Sequence, residues 1–160
     1  MKKIALLFLI FGVFSCNKKQ PLVFKSFYFS HNNSRANNSI KFTKSDTVYF
    51  AKYFPEKIGT YYTLISDDDK QVLNDFLKKL DFNKYDSIYK NEKFVYDNIF
   101  VFAVNKNSKS DWVVIHANRA PKELYDFGIW IQKFKQRHKF YITKKQISIE
   151  DLKSEDVIMY

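Results

Sequence analysis

Apolar and polar positions along this chain change period several times, and each change marks an element. Residues 22–30, LVFKSFYFS, are dense in aromatic and β-branched side chains and predict a strand. The polar run over 31–39, HNNSRANNS, has no periodicity and predicts a loop. In SIKFTKSDTVYFAKYF, Ile40 and Phe42 share one face, and Val48 and Phe50 share the matching face beyond Lys44-Ser45-Asp46. That is the pattern of a β-hairpin. A further strand is predicted over 58–66, IGTYYTLIS, extending the hairpin into a meander.

From Ser66 the period lengthens to that of a helix. Ser66 can cap it, Asp67, Asp68 and Asp69 lie in the first turn where the helix dipole favours anions, and Leu73, Phe76, Leu77 and Leu80 form one stripe. Residues 81–92 read as a mixed, tyrosine-containing connection. NIFVFAV (98–104) and WVVIHA (112–117) predict a second hairpin around the polar NKNSKSD. Pro121 suits the first turn of a second helix, with a stripe at Leu124, Phe127, Ile131 and Phe134. FYIT and ISI in the tail are strand-like. Hairpin-joined strands cannot form a parallel sheet with crossovers, so the expected class is α+β: an antiparallel sheet, strand meander plus hairpin, with two helices packed on one face.

The first twenty residues, MKKIALLFLIFGVFSCNKKQ, follow a different rule. Lys2 and Lys3 precede the uncharged run Ile4 to Phe14, about 16 Å long as a helix. A membrane span needs roughly twenty apolar residues, whereas a signal-peptide core needs about 7 to 15. Residues 1–15 are therefore expected to be a removed signal peptide. Cys16 is the single cysteine of the chain and follows the small Ser15. One cysteine cannot form an internal disulfide, leaving a free thiol, an intermolecular pair or another use of the sulfur. Ordinary signal-peptidase cleavage nearby also fits the small residues but gives Cys16 no role.

Val13-Phe14-Ser15-Cys16 resembles the lipobox of bacterial lipoproteins. The resemblance implies that Cys16 becomes the lipidated first residue. Asn17, where an aspartate would signal retention at the inner membrane, implies the outer membrane of a Gram-negative cell. Residues 16–21 would then be a lipidated, short tether and 22–160 a single α+β domain. About five tether residues reach roughly 17 Å, so the domain should sit against the bilayer.

The formal charge is +10, and removing the two charges of Lys2 and Lys3 leaves +8. In an exported, tethered chain with scattered lysines, nucleic acid is not an expected partner. An anionic envelope surface is the better match for the charge, each nearby Lys or Arg contributing about 1 kcal/mol. The abundance of Lys, Asn, Ile, Phe and Tyr beside three Gly and three Pro fits an AT-rich coding sequence, and this compositional origin of the charge is favoured over a dedicated anionic partner.

Over residues 40–135 the chain resembles a family of small bacterial lipoproteins and exported proteins that share a domain of unknown function. The residues that carry the likeness are the early hairpin, Gly59-x-Tyr61, the helix with an acidic start, Tyr96-Asp97 and Ala120-Pro121-x-x-Leu124. The resemblance implies architecture and brings no activity, cofactor or catalytic residue.

Candidate chemistry is sparse. His31, His116 and His138 are far apart and none has the local spacing of a zinc site. SDDDK lacks the spaced ligands, glycine and distant glutamate of a calcium loop, and helix capping accounts for it. G-x-S-x-G, S-x-x-K and glycine-rich phosphate loops are missing from the sequence. Asp97 and Asp111 could meet as an acid/base pair, or flank a hairpin as turn or edge residues. Aromatic residues make up 19% of the chain, enough for a core and for a binding surface, and Trp112, Trp130, Tyr61, Tyr62 and Tyr96 are the candidates for the latter. The expectation is a membrane-anchored envelope lipoprotein, non-enzymatic and without metal or cofactor, binding another envelope component. The alternatives are an envelope enzyme acting on glycan or peptide through dispersed carboxylates, and a stoichiometric inhibitor or immunity protein.

Overall fold

Alternating apolar side chains pair strand by strand into a mixed α/β arrangement: among the described residues, an eight-stranded, mostly antiparallel open sheet with two helices. The computed structural model describes residues 20–55, 58–90, 98–106, 109–116, 119–145 and 147. The expected signal segment, Cys16, Tyr96 and Asp97 lie outside the described residues.

In chain order the elements are β1 (Ser26–Asn33), β2 (Ala36–Thr43), β3 (Thr47–Phe54), β4 (Gly59–Leu64) and α1 (Asp67–Lys79). A short 3-10 turn (Phe82–Lys84) leads to β5 (Ile88–Tyr89), β6 (Ile99–Asn105), β7 (Ser110–His116), α2 (Lys122–Arg137) and β8 (Tyr141–Thr143). The sheet order is β5-β7-β6-β1-β2-β3-β4-β8. Among the described residues no helix is long and apolar enough to cross a membrane.

Two expectations are corrected. The polar stretch 31–39 is not a loop: β1 runs on to Asn33 and β2 begins at Ala36. Asn33 makes this possible, because its Oδ1 accepts from the backbone N–H of Arg35 at 2.9 Å and of Ala36 at 2.7 Å. The side chain thus closes a tight Asx-type turn that no apolar period announces. Nor is the sheet wholly antiparallel, since the two-residue β5, inside the presumed connection, runs parallel to β7. Strand-like ISI is represented only by Ile147, which lies outside any strand.

Period two puts Phe27 and Phe29 on the same face as Ile40, Phe42, Phe100 and Phe102, and all six are buried. Phe127 of α2 stacks on Phe27 and Phe102, and Phe134 meets Phe42. Phe76 of α1 stacks on Phe127 and touches Trp130. The four positions of the predicted α2 stripe, Leu124, Phe127, Ile131 and Phe134, have no exposed surface. Each such side chain contributes about 1.5–3 kcal/mol when removed from water.

Local chemistry sets the helix ends. Ser66 caps α1 by accepting from the Asp69 N–H at 3.1 Å, and Lys78 and Lys79 occupy the last turn against the negative dipole end. Buried Lys70 reaches back to Asp46 in the β2–β3 turn, tying α1 to that hairpin. Pro121 is the N-cap of α2 and His138 its C-cap. The His138 imidazole then bridges the helices, with Nδ1 2.9 Å from the Phe134 carbonyl and Nε2 3.3 Å from Asp69 Oδ2.

Candidate functional site

On the sheet face opposite Phe27 and Phe29, register builds an arrangement that no single strand reveals. Trp112 stands opposite Ala103, Ala103 opposite Tyr28, Tyr28 opposite Lys41, Lys41 opposite Tyr49, Tyr49 opposite Tyr62, and Tyr62 opposite Tyr141. Directly opposed residues share a face, so one transverse row crosses seven strands, about 29 Å at ~4.8 Å per strand. Five of its seven members are aromatic, and a lysine sits near the middle.

Most flanking positions across β1–β4 carry small or hydroxyl-bearing side chains. Ser30, Ser39, Ala51, Thr60 and Thr143, continued by Val101 and Val114, form the neighbouring row on one side, and Asn105, Ser26, Thr43, Thr47 and the exposed Leu64 lie on the other. Hydroxyl-bearing side chains therefore flank the rings of β1, β3 and β4. The Tyr53 hydroxyl is 3.2 Å from Ser39 Oγ.

Cations accompany the rings. Lys145 Nζ lies 4.5 Å from the Tyr49 ring centroid and donates to the Tyr49 hydroxyl at 2.9 Å, and Lys139 lies 5.4 Å from the Tyr141 ring. Tyr62 and Tyr141 approach to 5.9 Å. Tyr141 is half exposed, at 51%, whereas Tyr28 is the buried floor of the row. Burial pushes the Tyr28 phenol up to about 12 against hydrogen bonds with Ser39 and Ser30. Aromatic faces, ammonium groups and hydroxyls in one strip can hold a ligand or partner with apolar faces and anionic or hydrogen-bonding groups.

Two of the sequence candidates, Trp112 and Tyr62, belong to this row. Tyr61 and Tyr62 are adjacent in β4 and so project to opposite faces, Tyr61 meeting Phe50 at 6.0 Å. Trp130 packs among Phe76, Phe127 and Phe134 between the helices. Tyr96 is outside the described residues. Tyr28, Lys41, Tyr49 and Tyr141 were not singled out by sequence; their signal is the alternate position between core residues, as in Phe27-Tyr28-Phe29 and Val48-Tyr49-Phe50.

A second polar group lies on the Phe27 face, where β1 meets β2 and β6. Lys135 of α2 donates to Asn38 Oδ1, and its Nζ is 6.0 Å and 5.6 Å from the Phe29 and Phe50 rings. Asn38 stands opposite His31, whose Nε2 is 2.8 Å from Asn98 Oδ1. Asn33 Nδ2 donates to the same Asn98 oxygen at 2.7 Å. Asn33 Nδ2 also lies 3.2 Å from His31 Nε2, so the three side chains form one compact polar triangle. Burial, with Lys135 nearby, lowers the His31 pKa against the Asn98 bond. Burial alone brings the Lys135 ammonium down to about 7.

The remaining candidates are dispersed. His116 ends β7, and burial and Lys90 lower its pKa. Asp111 is held by Lys109 at 2.9 Å and Lys106 at 3.4 Å across the β6–β7 turn. No group of three or more His, Cys, Asp or Glu among the described residues could hold a metal ion. Comparison of the chain with protein-family models, curated proteins and solved structures gives no match.

Proposed function

We propose that the chain is an exported lipoprotein, held by a lipid on Cys16 at the outer membrane, whose domain binds another envelope component through the aromatic row. The observation that carries the binding role is the register itself: five rings and Lys41 aligned across seven strands. The reading takes β1–β4 as a meander and both helices as covering the Phe27 face, supported by the ring contacts of Phe127 and Phe134 and by the stacking of Phe76 on Phe127. That arrangement leaves the opposite face for a partner.

The anchor rests on the sequence alone, from Lys2 through the apolar run to Ser15-Cys16. A short tether would keep the +8 domain close to anionic headgroups, favouring an envelope partner over a diffusing one.

The test has two arms in the cell. Cys16→Ala should abolish acyl labelling and release or misprocess the protein; unchanged retention with unchanged label overturns the anchor. A photo-crosslinking residue at Tyr62 or Trp112 should capture one dominant envelope component, and the same residue at exposed Lys133 of α2 should not. Equal capture from both positions, or none from the row, overturns the binding face.

A further inference from the structure

The polar group under α2 is unbalanced in a way that points to a ligand. Its linked members are Lys135, Asn38, His31, Asn33 and Asn98, and no carboxylate pairs with Lys135 among the described residues. Gln132 Nε2 is buried with no hydrogen-bond partner. Helical spacing sets Gln132 one turn before Lys135 and one turn after Gly128, whose Cβ direction meets the Phe100 ring. Phe100 in turn packs on His31 and Phe29, at 5.2 Å and 5.3 Å. The unused amide and the ammonium therefore occupy one strip of α2 above the same end of the sheet.

We propose that this end of the sheet is a binding site for a small oxyanion, a carboxylate or a phosphate group, held between Lys135 Nζ and Gln132 Nε2. The site is independent of the aromatic row on the other face. An ammonium has three donors, of which Asn38 takes one, and an unmade buried amide donor costs about 1–3 kcal/mol. A single acceptor-only anion relieves both. A metal cation is disfavoured by the ammonium, and a neutral carbonyl would satisfy Gln132 but leave the charge of Lys135 uncompensated. The depressed Lys135 pKa is what burial without a counter-ion produces, and an anion would reverse it. Gln132, Lys135, His31, Asn33 and Asn98 are each only half-buried as residues.

The experiment is NMR of the full-length protein, following the Gln132 side-chain amide and the Lys135 Cε signal. Sodium acetate and sodium phosphate are titrated against sodium chloride at matched ionic strength. Saturable shifts with an oxyanion and none with chloride are expected, and Lys135→Met and Gln132→Leu should each weaken binding about tenfold or more. Response to acetate alone identifies a carboxylate ligand, and response to phosphate alone a phosphorylated one. No saturable shift with either anion overturns the site, as does unchanged affinity in both folded variants.

Discussion

Gly128 of α2 lies directly against the ring of Phe100: a Cβ at this position would stand 2.6 Å from Phe100 Cδ2 and 2.8 Å from Cε2. The ring cannot swing away, because it is 2% exposed and bordered by Phe29, Phe102, Tyr125 and His31. Gly128→Ala should therefore destabilise the fold by about 1–3 kcal/mol, although alanine is the better helix former by about 1 kcal/mol. Urea unfolding measures the difference; a higher midpoint for the variant would show that the helix does not rest on the ring.

Lys135 ties stability to pH. Its folded pKa of about 7 lies below the ordinary 10.5, so between these values the unfolded chain binds the additional proton and stability rises with pH. The cost of burying the ammonium is fully present below about 7 and fades as pH climbs towards 10.5. Lys135→Met should stabilise the protein at pH 6 by on the order of 1–3 kcal/mol, after discounting for the solvent contact that the amine keeps. The gain should shrink at pH 10. Thermal melts at the two pH values give the answer, and a gain that grows with pH would contradict it. A carboxylate or phosphate present in the buffer would reduce the gain.

Asn33 serves both the β1–β2 turn and the His31 network. Asn33→Ala removes acceptors from the Arg35 and Ala36 N–H groups and a donor from Asn98, and should cost about 1–2 kcal/mol. Exchange of the Ala36 amide hydrogen should accelerate most. Native-state hydrogen exchange that leaves Ala36 as protected as before would remove the turn from the account.

Tyr28 acts at the alkaline end. Its phenol keeps its proton to about 12 in the fold while an unfolded tyrosine ionises near 10, so this group's contribution is lost as pH rises between these values. Tyr28→Phe should cost about 1 kcal/mol at neutral pH through the lost hydrogen bonds. The deficit should close between pH 10 and 12, and difference melting curves that stay parallel over that window would exclude a protected phenol.

The helices are legible in sequence because their information is local. Ser66 with three aspartates, and Leu124, Phe127, Ile131 and Phe134 at helical spacing, need no partner to be read. The hairpins around Lys44-Ser45-Asp46 and NKNSKSD are equally local. Asn33-Ser34-Arg35-Ala36 was hidden because a side chain makes the turn, and β5 because two residues carry no period. The aromatic row was half hidden for another reason. Trp112, Tyr28, Tyr49, Tyr62 and Tyr141 are read together only when the register of every strand between them is known, and register across β1–β6 is a long-range property.

The position of β1 also dictates an order of assembly. Its first residues are among the earliest of the described chain, yet Ser26 must wait for Asn105 to complete its second ladder. Until then β1 holds only β2, and its other edge offers unpaired N–H and C=O groups to any passing strand. The arrival of β6 covers that edge and moves the open one outward to β6 itself, which β7 then takes, so this half of the sheet grows by handing its exposed edge from strand to strand.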